Sequence, residues 1–192
     1  MDELDQDQLL NLALTAVQNR QRETAISILK QATSRTDASA QAHYLLGAEY
    51  AQIQLYERAV GEIETALMID ANLHTARLQL ALLYFGASKV DKAISTLAPL
   101  AVLPDTDPMR HFGEGLMALA RNALADAKAK LASGISLNIT NLALNIDMQR
   151  IIDEIDKANG VRPPTLENGD ELPTDPSARH IFLSAYANSK NN

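Results

Sequence analysis

Apolar residues return along this chain at one fixed interval. Leu12-Ala13, Leu46-Gly47 and Leu80-Ala81 are evenly spaced, and Glu114-Gly115 continues the series. Ala25, Ala59, Ala93 and Ala127 keep the same interval. Within each interval the apolar positions fall three and four apart, as on one face of an α-helix. Two helices with their turns fill a period of about 34 residues, so each interval predicts a helical hairpin. The first helix of each hairpin is expected over about 6–18, 40–53, 74–86 and 108–120, and the second over 22–34, 56–69, 90–103 and 124–137. A lone hairpin cannot bury its apolar face, whereas stacked neighbours can. The pattern therefore predicts an all-α solenoid of four hairpins.

Local signals refine this division. Asp107 and Pro108 suit a helix start, as an N-cap followed by a first-turn proline. Pro99 falls inside the predicted sixth helix and has no N–H to donate, which predicts a kink or an early stop. Residues 1–5 form a lead-in, and the repeats run over 6–39, 40–73, 74–107 and 108–141. Over 142–159 a stripe of Leu144, Met148, Ile151, Ile152 and Ile155 predicts an amphipathic helix that covers the last hairpin. Residues 160–174 carry three prolines and two glycines and read as an extended linker. Residues 175–192 then open with Asp175-Pro176 and carry Ala178, Ile181, Phe182, Ala185 and Tyr186 at helical spacing, a short amphipathic tail helix.

Numbered from Gln6, Ala40, His74 and Pro108, the repeats place Leu46, Gly47, Tyr50, Ala59, Ile63 and Ala66 in a pattern that resembles the tetratricopeptide repeat. The third repeat keeps Leu80, Ala81, Tyr84, Ala93 and Leu97; the first keeps Leu12, Ala13, Ala25, Leu29 and Ala32; the fourth keeps Gly115, Ala127 and Leu131. The resemblance covers residues 6–141. The chain departs from the family pattern at position 4, where Leu9, His43, Arg77 and His111 stand in place of Trp. It departs again at position 32, which lacks Pro, and at Glu114, which replaces Leu.

The resemblance also implies a right-handed superhelical solenoid and a binding face. In this family positions 5, 9 and 12 of the first helix tend to face the concave side. Here they read Leu10, Leu14 and Val17; Tyr44, Ala48 and Ala51; Leu78, Leu82 and Phe85; and Phe112, Leu116 and Leu119. None is charged. As an open trough they would expose several hundred Å² of apolar surface, at or above what soluble monomers usually leave uncovered. Such a trough would receive an apolar helical or extended segment. The alternative is that some of them pack between neighbouring helices. Leu10 and Leu14 cannot clamp a carboxylate, which sets the chain apart from tetratricopeptide co-chaperones that grip acidic C-termini with Lys and Asn. The tail side chains Ile181, Phe182 and Tyr186 are expected to dock, either in the chain's own trough or in a neighbour's.

Composition narrows the function. The net charge is −7, with no cluster of Lys and Arg, which argues against nucleic acid. There is no cysteine, and aromatics make up 4%. His43, His74, His111 and His180 show no metal-ligand spacing, and no phosphate loop or nucleophile elbow is present. The acidic start lacks the pattern of a signal peptide, and no stretch is apolar enough to span a membrane. The expectation is a non-catalytic, cytoplasmic protein without cofactor or metal, whose partner is another protein or peptide segment. It would act as an adaptor or chaperone, and small acidic chaperones of bacterial secretion systems are similar in size and repeat type. A homo-oligomeric assembly factor built by tail exchange and a helper subunit of a separate enzyme are the alternatives.

Overall fold

A computed structural model describes residues 4–158, and among them every regular element is helical. The chain divides into two compact units between Leu83 and Tyr84, within the helix α5 (His74–Gly86), and each unit is taken in turn.

The first unit holds α1 (Gln6–Gln18), α2 (Arg22–Thr33), α3 (Ala40–Gln52) and α4 (Tyr56–Ile69). Asp5 starts α1 with a capping box: its side chain accepts the Gln8 N–H at 2.8 Å, and Gln8 Oε1 accepts the Asp5 N–H at 3.0 Å. Ser39 caps α3 by accepting the Ala42 N–H at 3.2 Å. Successive helices pack against each other, α1 on α2, α2 on α3 and α3 on α4. Small residues permit the close approach. A Cβ on Gly47 would lie 2.6 Å from Ile63 Cγ1 and 3.0 Å from the Ala59 carbonyl oxygen. Ala13 and Ala25 are fully buried at the matching place in the first hairpin. Buried Glu49 on α3 meets Arg22 Nε on α2 at 3.3 Å.

The second unit holds α6 (Val90–Leu97), a 3-10 segment (Ala98–Val102), α7 (Pro108–Ala120), α8 (Leu124–Leu137) and α9 (Leu142–Ala158). The sixth helix stops at Leu97 instead of reaching the expected residue 103. Pro99 lacks the N–H that would continue the ladder, so the chain tightens into 3-10 geometry. Asp107 accepts the Met109 N–H at 2.8 Å and Pro108 opens α7. Gly115 again marks the closest crossing, where a Cβ would lie 2.8 Å from Leu131. Buried Asn138 turns the chain from α8 into α9. Its amide donates to the Asn141 carbonyl at 2.8 Å and to Asn145 Oδ1 at 2.7 Å, and the Asn145 amide donates back to the Asn138 carbonyl. α9 packs on α8 through Leu144, Met148, Ile151, Ile152 and Ile155, with Lys128 Nζ 2.7 Å from both oxygens of Asp156.

One feature recurs in both units. Arg20, Gln54, Ser88 and Asn122 have φ of 57°, 63°, 58° and 59°, and they stand at the same register position of successive repeats. Each closes its hairpin with the same pair of main-chain bonds. Arg20 N–H reaches the Val17 carbonyl and Gln21 N–H the Ala16 carbonyl; the equivalents are Gln54 to Ala51 with Leu55 to Tyr50, Ser88 to Phe85 with Lys89 to Tyr84, and Asn122 to Leu119 with Ala123 to Ala118. This is the Schellman arrangement, which satisfies the last carbonyls of the first helix. No described helix is long and apolar enough to cross a membrane.

Candidate functional site

The predicted trough residues sort by depth. In the first unit Leu10, Val17, Tyr44 and Leu82 are half-buried and Leu14 is 37% exposed, whereas Leu78 is buried. Leu10 packs beside Leu9, Ala32 and Ala42, which joins α1, α2 and α3 at one point. The Gln6 side-chain amide also lies 3.3 Å from Ser39 Oγ, at the start of α3. Burial pushes the Tyr44 hydroxyl above its usual value, so it remains a neutral phenol at ordinary pH.

In the second unit Phe85, Phe112 and Leu116 are buried, and Leu119 keeps partial exposure. The burial of Phe112 and Leu116, like that of Leu78 and Phe85, corrects the expectation that they line an open trough. Phe112 turns its ring onto α8 where Gly134 has no side chain, and its exposure is 0%. Leu116 on α7 is likewise 0% exposed. Position 5 is thus a core position in the third and fourth hairpins and a half-buried one in the first.

Position 4, where the family pattern has Trp, takes a buried Leu9 in the first repeat and polar residues that bond locally in the other three. Arg77 Nη2 donates to the Ala71 carbonyl at 2.8 Å, and His111 Nε2 donates to the Asp105 carbonyl at 2.7 Å. Both acceptors occupy position 32 of the preceding repeat. His43 Nδ1 instead meets Glu62 Oε2 on α4 at 2.7 Å. These side chains tie turns and hairpins together. Among the described residues no three His, Asp or Glu side chains gather as a metal-binding group.

Two clusters were not foreseen in the sequence. Arg58 stands 5.8 Å from the centre of the Tyr50 ring, and Lys92 stands 5.6 Å from that of Tyr84. The recurrence of a cation at position 19 with Tyr at position 11 is the signal that would have found them. Glu114 lies between Lys130 of α8 and Arg110, whose Nε is 2.9 Å away; Arg110 also reaches Asp105 at 3.0 Å. Lys130 and then Arg110 hold the Glu114 carboxyl below the ordinary carboxylate range. A carboxylate so paired is a poor proton donor at neutral pH. It borders a shallow depression lined by Met117, Ala118, Arg121, Asp126 and Ala129.

No family model matches the chain, and no curated protein sequence matches it. Solved structures do share its fold. TTC0263, a thermophilic tetratricopeptide protein of Thermus thermophilus, aligns at a TM-score of 0.67 with 16% identity over 95% of this chain and 100% of its own. A crystal structure of MamA aligns at 0.57 with 21% identity, covering 69% of this chain and 78% of MamA. MamA residues 41 to the end from Desulfovibrio magneticus RS-1 align at 0.58 with 14% identity over the full length of both.

Proposed function

Because the chain folds as a tetratricopeptide-repeat protein, an all-α helical solenoid, we propose that it is a protein–protein interaction module that holds an apolar helical or extended segment of a partner. The observation that carries this reading is the uncharged face of α1 and α3. Leu10, Leu14, Val17 and Tyr44 keep accessible surface there at equivalent register positions. The neutral phenol of Tyr44 adds a hydrogen-bonding group to an otherwise aliphatic surface, the mixture that fixes the orientation of a bound segment. The paired state of Glu114 and the local bonding of the position-4 side chains support a non-catalytic role.

A photo-crosslinking side chain at Leu14, in the full chain within its host cell, tests this. The expected result is capture of one defined partner through an apolar segment, lost when Leu10→Lys is added. Met68 on α4, 78% exposed, is the control position. Equal capture from position 14 and position 68 would overturn the reading.

A further inference from the structure

α9 begins at Leu142, one full repeat after Pro108 opens α7. It therefore stands where the first helix of a fifth unit would stand. Its inward face is satisfied, with Leu144, Met148, Ile151 and Ile155 buried. Its other face is not. Ile146 is the counterpart of Phe112, one repeat further on. Phe112 is covered by the second helix of its own hairpin, through Gly134. Ile146 has no such partner among the described residues and is 51% exposed. Leu142 one turn earlier is 68% exposed, and Ile139 before it 85%. The three form an apolar ledge along the start of α9.

In register, the second helix of this unit would fall over about 158–171. Pro163-Pro164 and Asn168-Gly169 occupy that stretch, and adjacent prolines cannot continue a helical ladder. The next apolar stripe at helical spacing is Ala178, Ile181, Phe182, Ala185 and Tyr186, which lies outside the described residues. The tether is long enough. From Ala158 back to Leu142 is about 24 Å along α9 at about 1.5 Å per residue. Residues 159–175 can cover up to about 56 Å at about 3.3 Å per residue, more than the whole length of α9. A short tether that can reach its site holds the attached segment at an effective concentration near the millimolar range. A second copy at micromolar concentration competes poorly with that.

We infer that residues 176–188 fold back in cis onto this ledge and replace the missing second helix, with Ile181, Phe182 and Tyr186 against Ile139, Leu142 and Ile146. The inference concerns a different surface from the α1 and α3 face and stands or falls without it.

The absence of cysteine makes the test direct. Ala185→Cys in the tail is combined with Ala143→Cys on exposed α9 surface, leaving every proposed anchor intact. Val102→Cys and Leu14→Cys replace Ala143→Cys as controls. Mild oxidation of the full-length chain at low micromolar concentration is expected to close the 143–185 disulfide within one chain, about tenfold faster than either control pair. Adding Ile181→Asp should bring that rate down to the control rate. Three results would overturn the inference: equal closure in all pairs, fastest closure at residue 14 (the tail lying on the α1 and α3 face), or disulfide-linked dimers as the main product.

Discussion

Phe112 fills the space that Gly134 leaves empty: a Cβ on Gly134 would lie 2.5 Å from two atoms of the Phe112 ring. The ring is enclosed and cannot swing into solvent. Gly134→Ala therefore overpacks the α7–α8 crossing. Alanine's better helix propensity, about 1 kcal/mol, offsets only part of an overpacking cost of about 1–3 kcal/mol. Gly61 on α4 has open space where its Cβ would go. Gly61→Ala should gain nearly the full propensity term. Thermal melts should move in opposite directions for the two variants, each by a few degrees. Shifts of the same sign would contradict the packing described.

The hairpin turns hold a latent gain in stability. Gln54 sits at φ 63°, a conformation that costs a side chain about 1–2 kcal/mol. Gln54→Gly removes that strain at a smaller entropic cost and should stabilise the chain by about 0.5–1 kcal/mol in urea titration. Asn122→Gly should change little, because asparagine tolerates this region. An equal gain at both sites would show that side-chain strain is not the cause.

The periodic spacing predicted the helices closely, because small residues at positions 8 and 20 mark the crossings where hairpins close. It placed the stop in the sixth helix through Pro99, though not its early position at Leu97. Depth was harder to read. Position 5 holds Leu10 at a partly open surface and Phe112 in the core, where Gly134 on another helix makes room for the ring. A rule tied to one helix cannot report what faces it. The left-handed turns at Arg20, Gln54, Ser88 and Asn122 gave no signal either, since none is glycine.

Acid should loosen the second unit through Glu114. Lys130 and Arg110 keep its carboxyl below the ordinary 4.5 in the folded chain. The unfolded chain then takes up the proton more readily. The contribution is whole above the unfolded value and declines as pH falls through the folded one. Glu114→Gln should flatten the loss of stability as pH falls below the ordinary 4.5, measured by urea unfolding along an acid series. Parallel declines for the parent and the variant would remove Glu114 from the account.

Binding and folding should separate by depth. Leu14→Asp places a charge on a partly accessible surface and should cost about 1–2 kcal/mol, from lost apolar burial and helix propensity, while abolishing capture at the α1 and α3 face. Leu116→Ala empties a fully buried site and should cost about 2–5 kcal/mol. A large stability loss from Leu14→Asp would make Leu14 a structural residue.

The four Schellman turns have a consequence for how this chain tolerates changes of length. Each is closed by backbone groups alone, at the same two bonds and nearly the same φ, so no side-chain bond is required there while the residue count is fixed. A residue inserted at 20, 54, 88 or 122 would rotate the second helix of its hairpin by about 100° and carry its buried alanine out of the crossing. The links after each hairpin vary more, with a 3-10 segment in one and the Asn138 network in another. Foreign peptides and reporter loops belong in those links, where each junction already has its own local solution.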